Sequence, residues 1–114
     1  MNSLLSAYIE CALWSSTDDS GEPLDSNYGI ADIAPETVER MKADCQKFSE
    51  ANADDIGGEL EQAGHDFWLT RNGHGAGFWD GDWPEETGER LTKSAKLYGE
   101  CDLYVGDDGL IYGC

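Results

Sequence analysis

The chain has 114 residues, of which 39% are hydrophobic and 11% aromatic, which is enough apolar material for one folded domain. Seven basic residues stand against 24 acidic ones, so the formal net charge at pH 7 is −17. This charge excludes direct binding to nucleic acid or to an anionic membrane, because both depend on neutralising phosphates, and it favours a basic protein as partner.

The first predicted element runs over residues 3–14. Its apolar residues recur at spacings of three and four, which predicts a helix with one buried face, although residues 8–14 are also consistent with a buried strand. No basic region of a signal peptide precedes it, and it is too short to span a bilayer. We therefore expect a cytoplasmic protein without a membrane segment.

Residues 15–29 are rich in turn-forming residues and are predicted to be an acidic loop. The next helix begins at Pro35, which suits the first helical position. Its apolar stripe and its acids both follow helical spacing. A break is expected at residues 54–58, followed by a short helical piece that ends before Gly64. The stripe consists of Val38, Met41, Cys45 and Phe48.

Residues 66–80 combine aromatic and branched residues around Asn72-Gly73, a pattern that predicts a β-hairpin. A third helix follows from Asp82 and stops near Gly99. Residues 102–112 predict a second hairpin around a glycine- and aspartate-rich turn. The expected fold class is a small α+β single domain spanning residues 1–114, with helices packed on an antiparallel sheet made of the two hairpins.

The cysteines, Cys11, Cys45, Cys101 and Cys114, lack the paired spacing of zinc or redox motifs. In a reducing cytosol we expect buried or terminal thiols, with a disulfide framework as the alternative.

No motif for catalysis stands out. His65 and His74 could hold zinc together with a carboxylate, but their spacing matches no known metal motif. The two acidic turns at 80–82 and 107–109 lack the bidentate glutamate of an EF-hand, and the glycines at 73–77 lack the lysine of a phosphate loop. We therefore expect no catalytic residue, no resident metal and no cofactor.

The expected function is partner binding through carboxylates and an exposed tryptophan. Acids spaced along a helix can imitate the phosphates of duplex DNA, while a solvated acidic face that serves only solubility is the alternative. Any exposed member of the set Trp14, Trp68, Trp79 and Trp83 would be the aromatic anchor. The predicted partner-binding residues are Asp18, Asp19, Glu22, Asp25, Glu36, Glu39, Asp44, Glu50, Asp54, Asp55, Trp79, Asp80, Asp82 and Trp83.

Two blocks carry a family resemblance: Gly-His-Asp-Phe-Trp-Leu-Thr-Arg-Asn-Gly-His-Gly-Ala-Gly-Phe-Trp-Asp at 64–80 and Leu-Tyr-Val-Gly-Asp-Asp-Gly at 103–109. Together with residues 12–18 and Pro-Glu-Thr at 35–37, they resemble a family of small uncharacterised acidic proteins of tailed bacteriophages, prophages and plasmids. That family has no assigned activity, so no catalytic residue carries over. The resemblance implies a phage-type accessory protein that inhibits host DNA-acting machinery, which is an analogy at the level of the class.

The predicted activity is therefore binding and inhibition of a basic, DNA-handling host protein of defence or repair, by DNA mimicry or electrostatic competition. Two alternatives remain open. One is an adaptor that binds its partner through the aromatic hairpin around Phe78 and Trp79. The other is a small metal-dependent enzyme at His65 and His74. The net charge opposes self-association, so we expect a monomer, with a dimer through the aromatic face as the alternative.

Overall fold

The computed structural model describes residues 2–18, 20–73, 77–78 and 83–113. Within these residues the chain forms five α-helices, two 3₁₀ helices and one two-stranded sheet. No helix in this part of the chain is both long enough and apolar enough to cross a bilayer. The elements are α1 (Ser3–Ser15), η1 (Leu24–Ser26), η2 (Ile30–Asp32), α2 (Pro35–Ala51), α3 (Ala53–Ile56), α4 (Leu60–Arg71), α5 (Glu85–Lys96), β1 (Tyr104–Val105) and β2 (Ile111–Tyr112).

Helices α1 and α4 form the most extensive helix–helix contact in the described residues. The first element is thus a helix, and the side chain of Asn2 caps it by accepting a hydrogen bond from the Leu5 amide. The two helices approach closely at Gly64, where a Cβ would overlap the Leu4 carbonyl oxygen. The prediction that the helical piece ends before Gly64 is therefore wrong, because the glycine is retained inside α4 for this contact.

Aromatic side chains fill the core between α1, α2 and α4. Phe48 of α2 stacks on Phe67 of α4 with ring centroids 4.1 Å apart, and Tyr8 of α1 lies 5.2 Å from Phe67. Met41 and Cys45 are buried with Phe48, which confirms the predicted stripe on α2. The core thus joins three helices through rings rather than through a sheet.

The predicted hairpin at 66–80 is wrong over its first part, because α4 continues through Arg71. Asn72 and Gly73 end this helix: the Asn72 side-chain amide donates to the Trp68 carbonyl oxygen, and Gly73 has φ of +69°. Asn-Gly suits a hairpin turn and a helix C-terminus alike, because both need a residue with positive φ. Residues 74–76 and 79–80 of the predicted hairpin lie outside the described residues.

The second predicted hairpin is confirmed. Strands β1 and β2 pair antiparallel, with Tyr104 opposite Tyr112 and Val105 opposite Ile111. The Ala34 amide donates to the Ile111 carbonyl oxygen, which fastens the hairpin to the start of α2. The described residues therefore form a single, mostly helical globule with a small antiparallel sheet, and not helices on a sheet of two hairpins.

The cysteines differ from one another. Cys11 and Cys45 are free and buried, and burial raises the pKa of the Cys11 thiol to about 12 and that of Cys45 further still. Burial therefore disfavours the thiolate form at both positions. Cys101 is disulfide-bonded, so the expectation of free thiols throughout is wrong at that position.

Candidate partner-binding surface

Among the tryptophans that the structure describes, only Trp14 is exposed. It is 63% accessible, whereas Trp68 is 2% and Trp83 is 9% accessible. Helical geometry explains the difference, since Leu4, Tyr8 and their neighbours form the buried side of α1 and Trp14 projects from the other side. Of the four candidate tryptophans, Trp14 is therefore the exposed one within the described residues.

The loop after α1 is built around Asp18. Its carboxylate accepts hydrogen bonds from the Ser20 amide and hydroxyl and from the Glu22 amide, at 2.9, 2.7 and 3.1 Å. These bonds, the one from the Ser20 hydroxyl foremost, hold the pKa of Asp18 below its usual range. The Leu24 amide donates to the Ser16 carbonyl oxygen, and the Leu24 side chain is fully buried. This loop therefore places η1, and with it Asp25, beside the outer side of α1.

Glu10, Trp14, Asp25, His65 and Leu69 line one open cleft of about 510 Å³, which we call the Trp14 cleft. Glu10 and Trp14 lie one turn apart on α1, and His65 and Leu69 lie one turn apart on α4, so each pair shares a helix face. The walls are thus fixed by the contact between α1 and α4.

In the described part of the chain, no lysine or arginine pairs with the carboxylates of the cleft. Within residues 2–18, 20–73, 77–78 and 83–113, no ion pair or side-chain hydrogen bond engages Glu10 or Asp25. Residues 1–39 hold eight acidic residues and no lysine or arginine. No lysine or arginine in this stretch offsets its acids, so it carries a net negative charge.

A smaller groove adjoins the Trp14 cleft. It is about 340 Å³ in volume, shares Glu10 and Asp25 with the cleft, and adds Tyr28 and Ile30. Ile30 is 44% exposed. Apolar surface beside carboxylates is the composition expected of a surface that binds a basic protein.

Helix α2 offers a weaker negative surface than its acids suggest. Glu36, Glu39 and Glu50 are exposed, as predicted from their spacing. The same helix, however, exposes three of the chain's seven basic residues. A continuous row of phosphate-like charges is therefore absent from α2. The interrupting bases are Arg40, Lys42 and Lys47.

Asp44, the remaining acid of α2, belongs to the interior. It forms an ion pair of 3.0 Å with Arg71, whose side chain is 2% exposed. Arg71 also donates to the Tyr8 hydroxyl and to the carbonyl oxygens of Tyr98 and Gly99. Asp44 therefore ties α2 to α4 and is not available to a partner.

Asp55 is also engaged inside the protein. Two hydrogen bonds of 2.9 and 2.7 Å join its carboxylate to the Arg90 guanidinium. They hold the pKa of Asp55 below its usual range and link α3 to α5. Asp54, its neighbour in α3, is exposed.

Trp83 is held within the core by a buried carboxylate. Its indole N–H donates to Asp66 at 2.7 Å, and Asp66 is only 2% exposed. Phe78 packs against Trp83 with ring centroids 5.5 Å apart and is 1% exposed. Phe78 and Trp83 therefore belong to the core, and the predicted aromatic patch at Phe78 is missing from the described surface.

A larger cleft of about 680 Å³ lies along α5, over Phe78 and Trp83. Among the described residues, two glutamates and two lysines border it, so these four charges balance. The bordering charges are Glu85, Glu89, Lys93 and Lys96.

Tyr104 is a second exposed ring, at 60% accessibility. It stacks on Tyr112, whose hydroxyl donates to Asp108. This hydrogen bond raises the pKa of Tyr112 to about 12 and lowers that of Asp108. The carboxylate beside these rings, that of Asp108, therefore already accepts a hydrogen bond from the protein itself, in contrast to those of Glu10 and Asp25.

The remaining predicted residues are placed as follows. Glu22 is exposed and accepts a hydrogen bond from the Asn27 side chain.

His65 is exposed on α4, while His74 lies outside the described residues, so the predicted meeting of the two histidines stays a prediction. No group of three metal-binding side chains occurs in the described part of the chain. Four predicted partner-binding residues also lie outside it: Asp19, Trp79, Asp80 and Asp82.

Glu10, Leu69 and the surroundings of Trp14 were not predicted from the sequence. Helical spacing alone was sufficient to place Glu10 beside Trp14, opposite the apolar stripe of α1. Leu69 was hidden because residues 66–71 were interpreted as a strand.

No family model matches this chain, and no curated protein or solved structure matches it either.

Proposed function

We propose that the chain is a non-catalytic binding protein that attaches to a basic surface of a DNA-handling protein and competes there with nucleic acid. The observation that carries this proposal is the Trp14 cleft. It combines a tryptophan that is 63% exposed with two carboxylates that have no cation among the described residues.

Competition follows from the chemistry of basic clefts. A protein that holds DNA does so with lysine and arginine side chains, and these accept carboxylates in place of phosphates. A net charge of −17 accelerates the encounter with such a surface. The exposed tryptophan then supplies the apolar contact that slows dissociation, since tryptophan is enriched among residues that dominate binding energy.

The distribution of bases favours electrostatic competition over imitation of a DNA rail. Arg40, Lys42 and Lys47 interrupt the acids of α2, whereas residues 1–34 carry six acids and no lysine or arginine. The binding surface is accordingly assigned to α1, η1 and the exposed side of α4, and not to α2.

The biological setting is proposed from the resemblance of residues 64–80 and 103–109 to small acidic phage proteins. In that setting the protein acts in the cytoplasm of the host cell, as a monomer, on an enzyme of defence or repair. The inhibitory effect is the loss of DNA binding by that enzyme.

The test is a capture experiment from bacterial lysate with the tagged protein and two matched pairs of variants. Trp14→Ala is paired with Leu97→Ala, since Leu97 is 87% exposed elsewhere on the surface. Glu10→Gln is paired with Glu36→Gln, because both remove one exposed charge. Bound proteins are identified by mass spectrometry, and each is then challenged with duplex DNA and with salt.

A DNA-binding enzyme that is captured by the wild type and both controls, that is lost with Trp14→Ala, and that DNA displaces supports the proposal. A partner that resists both DNA and high salt contradicts it. A partner captured equally by all variants places the binding surface elsewhere.

A further inference from the structure

We propose that the Trp14 cleft is a receptor for an arginine side chain of the partner protein. This inference rests on the proposed function and adds the chemistry of the residue that is recognised. The occupant is a single guanidinium group with its aliphatic stem, presented on the partner's surface.

The cleft has the parts that arginine requires. Trp14 provides an exposed indole on which a guanidinium stacks, and Leu69 provides apolar surface for the stem. Glu10 and Asp25 provide carboxylates that accept the N–H groups. An uncharged apolar occupant would bury carboxylates without a partner, which is unfavourable.

The protein already binds one arginine of its own in this way. The Arg71 guanidinium lies 5.6 Å from the ring centroid of Phe67 and 5.8 Å from that of Tyr98. Its ion pair with Asp44 is 3.0 Å long. Rings and a carboxylate thus surround a guanidinium inside this fold, and the Trp14 cleft presents a ring and two carboxylates on the surface, with no lysine or arginine of the described residues paired to them.

Arginine fits the cleft better than lysine does. The guanidinium is planar, stacks on indole and is weakly hydrated, and its fork of N–H groups engages two acceptors at once. An ammonium is a strongly hydrated point charge that gains less from the ring. We therefore expect discrimination between the two cations as well as between charged and uncharged side chains.

The experiment titrates the ¹⁵N-labelled protein with three short peptides, acetyl-Gly-Xaa-Gly-amide, in which Xaa is arginine, lysine or citrulline. Citrulline matches arginine in shape and lacks its charge. The readout is the indole N–H signal of Trp14, which is assigned by its absence in Trp14→Ala, together with the amides of Glu10 and Leu69.

The arginine peptide is expected to shift these signals in a saturable way. The lysine peptide should bind several-fold more weakly, and the citrulline peptide roughly tenfold or more weakly, since the stacking and the ion pairs are lost. Trp14→Ala and Glu10→Gln should each reduce the affinity, whereas Leu97→Ala and Glu36→Gln should leave it unchanged.

Three results overturn the inference. Equal binding of arginine and citrulline identifies an apolar docking site. Equal, non-saturable shifts by arginine and lysine over the whole acidic surface identify a diffuse field. Self-association in sedimentation velocity that Trp14→Ala abolishes identifies a second copy of this chain as the occupant.

The peptide experiment separates this inference from the proposed function. If the arginine peptide fails to bind while lysate capture still depends on Trp14, only the arginine assignment fails. If the peptide binds as expected but no DNA-binding protein is captured, the arginine site stands and the proposed competition with DNA fails.

Discussion

The Arg71 network and the Trp14 cleft are two assemblies of aromatic rings and carboxylates in one small protein. In the first, Asp44 is joined to a buried arginine that also contacts Phe67 and Tyr98. In the second, Trp14 lies beside carboxylates that no cation of the described chain reaches. The net charge alone therefore does not show which acidic side chains can bind a partner, because some of them are paired with basic residues inside the fold.

The comparison also separates structural acids from binding acids. Asp18, Asp55 and Asp108 each accept hydrogen bonds from their own surroundings, which lower their pKa values. Glu10 and Asp25 do not share this feature within the described residues. Glu10 and Asp25 are therefore not withdrawn by internal hydrogen bonds of the described chain, and we propose that they remain available to a partner.

The largest effect on stability is expected in the Arg71 network. Arg71→Ala should lower the free energy of unfolding by about 3 kcal/mol or more, because it leaves Asp44 without its ion pair and removes the donor to Tyr8. Urea denaturation measures the change. Arg40→Ala is the control: it changes the net charge equally but removes an exposed side chain, and it should cost under about 1 kcal/mol. Similar losses for the two variants would contradict the structural role of Arg71.

The second largest effect is expected for a substitution that disturbs the contact between α1 and α4, which holds the walls of the Trp14 cleft. Gly64→Ala introduces a Cβ that overlaps the Leu4 carbonyl oxygen, so α1 and α4 must separate. We expect a loss of roughly 2 kcal/mol in unfolding free energy, as for other overpacked contacts, together with weaker partner binding. Gly58→Ala is the matched control, since nothing lies within 4 Å of the added methyl group. If Gly64→Ala unfolds with the same free energy as the wild type, α1 and α4 do not pack closely at Gly64.

How far the sequence determines this fold varies along the chain. Helix α2 was predictable because Pro35 marks its start and Met41, Cys45 and Phe48 form one stripe. The hairpin of β1 and β2 was predictable because branched and aromatic residues flank a turn of glycine and aspartate.

Helix α4 was not predictable in the same way. It is buried on most sides, including at Phe67, Trp68 and Thr70, so no single apolar stripe marks it as a helix. Its aromatic residues favour a strand by local preference, and packing against α1 overrides that preference. The site was partly predictable: Asp25 was named in advance, while the pairing of Asp44 with Arg71 spans 27 residues and leaves no local signal.

A smaller effect is expected for the exposed tryptophan, and it is confined to binding. Trp14→Ala should change the unfolding free energy by no more than about 0.5 kcal/mol, because the side chain is 63% exposed. Affinity for the captured partner should fall roughly 30-fold, the scale of an interface hot spot of about 2 kcal/mol. Calorimetry of both equilibria measures the two values. A large loss of stability with unchanged affinity would reverse the assignment of Trp14 from partner to core.

The smallest effect on stability is expected for Arg90, which pairs with the carboxylate of Asp55. Hydrogen bonds from Arg90 hold the folded pKa of Asp55 below its unfolded value of about 3.9. A depressed folded pKa stabilises the protein above the unfolded pKa, and this stabilisation is lost as the pH falls through the folded value. Since the Arg90 side chain is 55% exposed, solvent screening keeps this contribution small at pH 7.

Arg90→Gln should therefore be slightly less stable than the wild type at pH 7, and the difference should vanish once the pH lies below the folded pKa of Asp55. Urea denaturation across this pH range measures it. A difference that persists after Asp55 is protonated would assign the effect to packing of the long side chain. The loss of unfolding free energy should be far larger when Arg71 is replaced than when Arg90 is replaced, and the difference measures what burial between rings adds to an arginine–carboxylate pair. The interaction of a bound arginine with Trp14 should be intermediate in strength, because it gains a ring while remaining open to solvent.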